Sequence, residues 1–304
     1  MTNNNEINKL DNYKLDSLHK NRRKELKVVP LLDGIEEIRQ DIGERLEQGE
    51  VTYGLEILDD NVETIRKGSV TMVIARPNTG KSQIGLNIAA HLAKLGKLVL
   101  ICSCEMGAGL FMERELKTIM GVSMKELTFA YKQDEVTANH LLDSIYEQEA
   151  YNYLQNISIC ETGGATVYDI IDMLEANPEY EYIVIDYIQR IKGTGTDYEN
   201  ISQASGELQT FARRTRRSLI ICSQANRQSA TTDGKANTQK QVQGKGSGSL
   251  EEDGDVIIAL SESITPDEKI ILIELVKNKF GYNKGLTYRY RFTPRLQYEY
   301  IGRA

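Results

Sequence analysis

Val70-Thr71-Met72-Val73-Ile74-Ala75, followed by Arg76-Pro77-Asn78-Thr79-Gly80-Lys81-Ser82, is the stretch that decides the fold. The first six residues are apolar or β-branched without alternation, which predicts a strand buried on both faces, as in a parallel sheet. From Lys81 to Leu95 apolar residues return at helical spacing, and Gly96 ends the run. Between strand and helix lies a tight polar loop. Such a loop turns successive backbone N–H groups toward phosphate oxygens, and the helix N-terminus adds its positive end. In this pattern Lys81 reaches the β- and γ-phosphates and Ser82 holds Mg²⁺. The opening position is Ala75 rather than glycine, which weakens the bare pattern, and the strand–loop–helix context restores it.

On either side, short β-branched runs alternate with helical patterns, the signature of a parallel sheet flanked by helices. Strands are expected at 97–103, 157–160, 182–187 and 219–224. Helices are expected at 108–120, at 134–153, after Thr166, where Asp169 completes a capping box, and after the Gly/Thr-rich stretch 192–197. Residues 225–248 lose all periodicity; a loop of that length in an α/β domain is usually functional. Strands near 256–260, 270–277 and 286–293 close the chain. The last two are joined through Phe280-Gly281-Tyr282-Asn283-Lys284-Gly285, which predicts an antiparallel hairpin. Upstream, residues 1–28 read as a polar tail with a basic run at Lys20, Arg22, Arg23, Lys24 and Lys27. Leu31, Ile35, Ile38, Ile42 and Leu46 then mark an amphipathic helix within 29–50. Its apolar face could fold onto its own core or dock on a neighbouring copy, and the pattern alone does not choose. Residues 51–304 form the main domain.

Composition limits the function classes. The 304 residues carry a net charge of −7, are 40% hydrophobic and 27% charged, which describes a folded globular chain and argues against a histone-like coating of nucleic acid. No stretch approaches a membrane span and the start lacks the apolar core of a secretion signal, so a cytoplasmic protein without membrane partner is expected. Cys102, Cys104, Cys160 and Cys222 fall in apolar runs without paired metal-ligand spacing and read as buried thiols.

A Mg²⁺-nucleotide site needs a second acid at the end of a neighbouring strand. Ile183-Val184-Ile185-Asp186 supplies it, while Glu105, after the strand 97–103 at the same carboxyl edge, suits a base that orients water. Five blocks in order then resemble the C-terminal motor domain of DnaB-type replicative helicases, which are ring-forming and RecA-like. They are Ala75 to Ser82, Ser103-Cys104-Glu105-Met106, Ile185-Asp186-Tyr187-Ile188-Gln189, Ser223-Gln224-Ala225-Asn226-Arg227, and Gly248-Ser249-Leu250-Glu251-Glu252-Asp253-Gly254-Asp255. That family also opens its phosphate loop with alanine.

The resemblance implies a RecA-like P-loop core, a mostly parallel sheet with a C-terminal antiparallel hairpin, acting as an ATP-dependent helicase or translocase on single-stranded DNA. Glu105 becomes the catalytic glutamate, Asp186 with Ser82 the Mg²⁺ carboxylate and hydroxyl, and Gln224 the γ-phosphate sensor. A neighbouring subunit of a homo-oligomeric ring, a hexamer in expectation, inserts a Lys-x-Arg pair, whose positions here are Lys277 and Lys279. Lysine at 279 keeps the charge but loses the planar fork. The family's DNA loop falls on Lys245-Gly246-Ser247-Gly248, with glycine replacing its acidic residue. The helix in 29–50 resembles the linker that docks on an adjacent subunit. The helical collar domain that recruits primase has no counterpart, which puts primase recruitment in doubt, leaves a helicase loader or host replication proteins as partners, and suits a phage, plasmid or other mobile element. Arg213, Arg214, Arg216 and Arg217 are expected to end a helix or meet a neighbour rather than DNA. A RecA-fold ATPase that does not unwind, such as a recombinase relative, and an accessory protein that joins a host helicase ring are the competing readings.

Overall fold

The computed structural model describes residues 28, 30–225, 247–264, 268–281 and 283–304. The chain divides into two units, Met1–Glu50 and Val51–Ala304. In the first, a 3₁₀ turn Leu31–Asp33 leads into the helix Gly34–Gln48. Leu31, Leu32, Ile35, Ile38, Ile42 and Leu46 are all exposed along it. The tail expected over 1–28 lies, apart from residue 28, outside the described residues.

In the second unit nine strands form one sheet in the order β3-β2-β4-β5-β1-β6-β7-β8-β9. They are β1 Val70–Ala75, β2 Val99–Ser103, β3 Ile157–Glu161, β4 Tyr182–Asp186, β5 Ser218–Gln224, β6 Val256–Ile264, β7 Lys269–Asn278, β8 Leu286–Phe292 and β9 Tyr298–Arg303. The first six in spatial order pair in parallel; β7, β8 and β9 add antiparallel strands. The missing alternation in β1 has its cause here. Val73 and Ala75 pack into one core with Ile84, Ile88 and Leu92 of the helix Lys81–Lys94. Met72 and Ile74 pack into the other, with Ile170 and Leu174 of the helix Val167–Ala176 and Leu208 and Phe211 of the helix Asp197–Thr215. A strand covered on both faces cannot alternate without burying polar groups.

Three local expectations need correction. The single helix expected at 134–153 is three pieces, Glu135–Asp143, a 3₁₀ turn Ser144–Glu147 and Ala150–Leu154. A further helix, Met124–Gln133, precedes it, opened by a Ser123–Glu126 capping box and ended by Asp134, whose extended backbone and side chain cap the next helix. These pieces gather around Leu116, Leu127 and Ile145, a small cluster apart from the main core. The last strand, β9, also went unforeseen. It is an edge strand whose tyrosines stack across the ladder, Tyr300 on Tyr288 and Tyr298 on Phe292, with ring centroids 5.1 Å apart in each pair.

No helix among the described residues is long and apolar enough to cross a membrane. Cys102 and Cys222 are buried, Cys104 and Cys160 half-buried, and all four are free thiols.

Candidate functional site

The loop Arg76–Gly80 joins β1 to the helix Lys81–Lys94, and its backbone explains its residues. Gly80 caps the helix with φ +104°, and a Cβ there would strike the Tyr298 hydroxyl, which donates to the Gly80 carbonyl at 2.9 Å. No side chain caps the helix, so its first N–H groups are left without a side-chain partner. Arg76 adds a buried Nε–H without a hydrogen-bond partner among the described residues. Free N–H groups at a helix N-terminus beside an unpaired guanidinium donor fit an anion such as a nucleotide phosphate. Ala75, Pro77, Asn78 and Thr79 shape the loop: Thr79 N donates to the Arg76 carbonyl at 3.3 Å, and Asn78 has a left-handed backbone, φ 64°.

Four neighbouring strands, β2, β4, β5 and β1, end at this edge, because parallel strands deliver their carboxyl ends together. Ala75 pairs in register with Gln224, and Ser103 with Asp186. Lys81 Nζ lies 2.7 Å from Asp186 Oδ1, with 11% and 5% of the two side chains exposed. The ammonium also stands 3.7 Å over the centre of the Tyr187 ring. Asp186 with Ser82 could hold a divalent ion, and Lys81 could turn from Asp186 to a phosphate.

Tyr187 links this pair to Glu105. Its hydroxyl donates to Glu105 Oε1 at 3.0 Å, and Arg190 lies against the same oxygen, Nη2 at 2.5 Å and Nε at 2.8 Å. Partial burial works against the charged carboxylate, but the hydrogen bonds from Arg190 and Tyr187 and the charges of Arg190 and Lys81 outweigh it, holding Glu105 below its usual range. Gln224 is placed by its backbone: Gln189 Nε2 donates to the Gln224 carbonyl at 3.1 Å, and Gln224 N donates to Gln189 Oε1 at 3.0 Å.

Other expected site residues lie elsewhere. Lys277 donates to the carbonyls of Glu251 and Glu252 at 2.5 and 3.4 Å, and Lys279 to Asp255 Oδ1 at 2.8 Å. Asp255 stands next to Val70, whose N–H it accepts at 3.1 Å, so Lys279 sits five residues, ~16 Å, along β1 from Ala75. Lys245 and Gly246 lie outside the described residues, while Ser247 and Gly248 open the short helix Ser247–Asp253. At the end of the helix Asp197–Thr215, Arg216 is a left-handed cap, Arg214 pairs with Glu175, and Arg217 is buried on the carbonyls of Leu174 and Asn177. Sequence reading missed Tyr187 and Arg190 as partners of Glu105, although Tyr187 stands in a quoted block. It also missed Lys269, which donates to the Asn78 carbonyl at 3.3 Å and carries no pattern signal.

A phosphate loop on one strand, an acid two strands away and a candidate base after the next strand define a P-loop NTPase core of RecA-like fold. The model of the DnaB-like helicase C-terminal domain family matches residues 50–291, and the chain belongs to that family. Over 272 residues it is 28% identical to the replicative DNA helicase DnaC of Bacillus subtilis, covering 84% of this chain and 57% of that protein. A solved ATPase domain superposes with a TM-score of 0.74 at 22% identity, over 90% of this chain and 100% of that one. A DnaB-like replicative helicase described with its interactions with primase gives 0.70 at 21%, over 90% of this chain and 67% of that one.

Proposed function

We propose that this chain is the ATP-hydrolysing motor of a DNA helicase that assembles into a ring, a hexamer, and moves along single-stranded DNA in replication. The observation that carries the reading is the convergence of the phosphate loop, Asp186, Gln224 and Glu105 on one sheet edge, with Lys81 2.7 Å from Asp186. Family membership supports the same reading.

In it the loop Ala75–Gly80 and the first turn of the following helix bind the phosphates of ATP, and Lys81 leaves Asp186 for the γ-phosphate. Ser82 and Asp186 hold Mg²⁺, which when bound neutralises developing charge on the phosphates. Glu105 orients and deprotonates the attacking water, and Gln224 reports on the γ-phosphate. Lys277 and Lys279 act on the site of a neighbouring copy, and Lys245-Gly246-Ser247-Gly248 holds phosphates of the strand in the channel. The apolar stripe of the helix Gly34–Gln48 docks on the adjacent subunit, a helicase loader or other replication proteins complete the assembly, and the setting is the cytoplasm of a cell carrying a phage, plasmid or other mobile replicon.

The test is ATP turnover with and without single-stranded DNA, at protein concentrations bracketing assembly followed by light scattering. Turnover that rises with both DNA and assembly and vanishes in Lys81→Ala supports the motor; turnover intact in Lys81→Ala refutes it. A second reading, an accessory subunit that binds ATP within a host helicase ring, is favoured by the bonds that tie Lys277 and Lys279 to their own chain. A monomer that binds ATP without turning it over would select it.

A further inference from the structure

Arg190 ends the 3₁₀ turn Ile188–Arg190 and folds its guanidinium back onto Glu105. Nη2 and Nε address the same oxygen, Oε1, at 2.5 and 2.8 Å, and the Tyr187 hydroxyl donates to that oxygen while accepting from Arg190 Nε at 3.0 Å. Three donors converge on one carboxylate oxygen. Oε1 so occupied has little lone-pair capacity left for the proton of an attacking water, and the guanidinium charge against it makes the whole carboxylate, Oε2 included, a weaker base. With 57% of Arg190 and 41% of Glu105 side chains exposed, the pair is open to exchange with an outside anion.

Such an anion has a place to sit. Arg190 lines a cleft of about 590 Å³ together with Lys192, Asn200 and Gln224, against one acid, Asp197. Two cations and the amides of Asn200 and Gln224 suit a phosphate, the third lining amide, Gln189, being bonded to Ser223 and the Gln224 backbone. A guanidinium fork matches phosphate oxygens as well as it matches a carboxylate. Under the function proposed above, the anion that meets this edge is a phosphodiester of the DNA strand.

We propose that the cleft takes a backbone phosphate of single-stranded DNA, and that Arg190, drawn onto that phosphate, releases Glu105 to act as base. Arg190 is then a positioning residue that works through Glu105 and makes hydrolysis answer to the strand. The inference rests on the reading of the chain as a DNA-stimulated ATPase.

Linkage makes the coupling reciprocal: if the phosphate loosens Glu105, removing the hold of Glu105 must tighten the phosphate by the same factor. The experiment is fluorescence anisotropy of labelled dT20 on nucleotide-free wild type, E105Q, R190A and the double variant, each checked for an unchanged melting curve. E105Q is expected to bind dT20 about two- to fivefold more tightly, as suits an exposed pair. R190A should bind more weakly, and E105Q should add nothing in the R190A background. In steady state R190A should raise DNA-free turnover severalfold and lose most of the stimulation by dT20, with R190K between. Tightening by E105Q of equal size in both backgrounds would be a net-charge effect and would overturn the proposal, as would a fall in DNA-free turnover in R190A. Inorganic phosphate alone raising turnover to the dT20 level would overturn the strand as its source. A wild type that neither binds dT20 nor hydrolyses ATP refutes the motor reading too, whereas binding and turnover without coupling refutes this inference alone.

Discussion

Glu115, on the helix Ala108–Ile119, has 3% of its surface exposed, and neither carboxylate oxygen meets a hydrogen-bond partner of good geometry among the described residues. Burial raises its pKa from the ordinary 4.5 to about 7, against the opposing influence of the Lys94 charge and the Tyr153 hydroxyl. The folded chain therefore keeps a proton that the unfolded chain gives up between these two values. Stability is fullest below pH 4.5 and is lost as pH rises to 7, beyond which the loss is complete. The whole shift corresponds to ~3 kcal/mol, at 1.36 kcal/mol per unit. Glutamine keeps the shape and removes the ionisation. E115Q should gain on wild type by about 2–3 kcal/mol between pH 5 and pH 8, roughly 5–10 °C in melting temperature for a domain of this size. The assay is thermal unfolding by circular dichroism of both proteins across that range, other titrations cancelling in the difference. Melting temperatures that run parallel from pH 5 to pH 8 would refute the reasoning.

At Gly80, alanine meets both a left-handed backbone and the Tyr298 hydroxyl; G80A should cost about 1–3 kcal/mol, read by melting, and should weaken binding of a fluorescent ATP analogue. R217A leaves the carbonyls of Leu174 and Asn177 without their donor and should lower unfolding free energy in urea by about 1–3 kcal/mol, with ATP turnover per folded molecule unchanged. D255A removes the acceptor of the Val70 N–H together with the partner of Lys279. It should cost about 2 kcal/mol in the same urea assay, and an unaltered midpoint would show that water replaces the carboxylate.

How much of this was legible depends on where a signal is local. The strand–loop–helix at 70–95 announces itself, because burial on both faces, a glycine at φ +104° and a lysine beside it each leave a trace in neighbouring residues. Asp186 and Glu105 were readable for the same reason: each follows an apolar run, and parallel strands bring such ends together. The place of Arg190 was not, because what singles it out is a contact with a residue 85 positions away and no pattern of its own. The helix Met124–Gln133 was missed although Ser123 and Glu126 spell a capping box, since its apolar face meets only the small cluster around Leu127 and the periodicity is short. Strand β9 was hidden by its edge position, where one covered face and tyrosines in place of aliphatics blur the alternation.

Strand direction also bears on whether one chain can complete the site. Parallel strands set the phosphate loop, Asp186 and Gln224 at their carboxyl ends, and antiparallel β7 then runs back past them. Its first residue, Lys269, therefore reaches the loop at Asn78, while Lys277 lies level with Met72 across β6 and Lys279 ends up by Val70 at the opposite end of β1. Lys279, level with Val70, lies ~16 Å along β1 from Ala75, and Lys277, level with Met72, lies ~10 Å along and two strands, ~10 Å, to the side. Both distances exceed the reach of a lysine side chain, so neither cation can serve the phosphate loop of its own chain. To serve another, Lys279 must leave Asp255 and Lys277 the carbonyls that close the helix Ser247–Asp253. Lys279 has 52% of its side chain exposed but Asp255 only 6%, so the release costs more than the ~0–1 kcal/mol of an exposed pair; Arg213, 3.7 Å from the same carboxylate oxygen, stays beside Asp255 to limit that cost. The bonds seen in the single chain are thus compatible with a resting position for both lysines. Under the motor reading, turnover must then rise with assembly more steeply than nucleotide binding does, because the phosphate loop is whole in one copy and the cations are not within its reach.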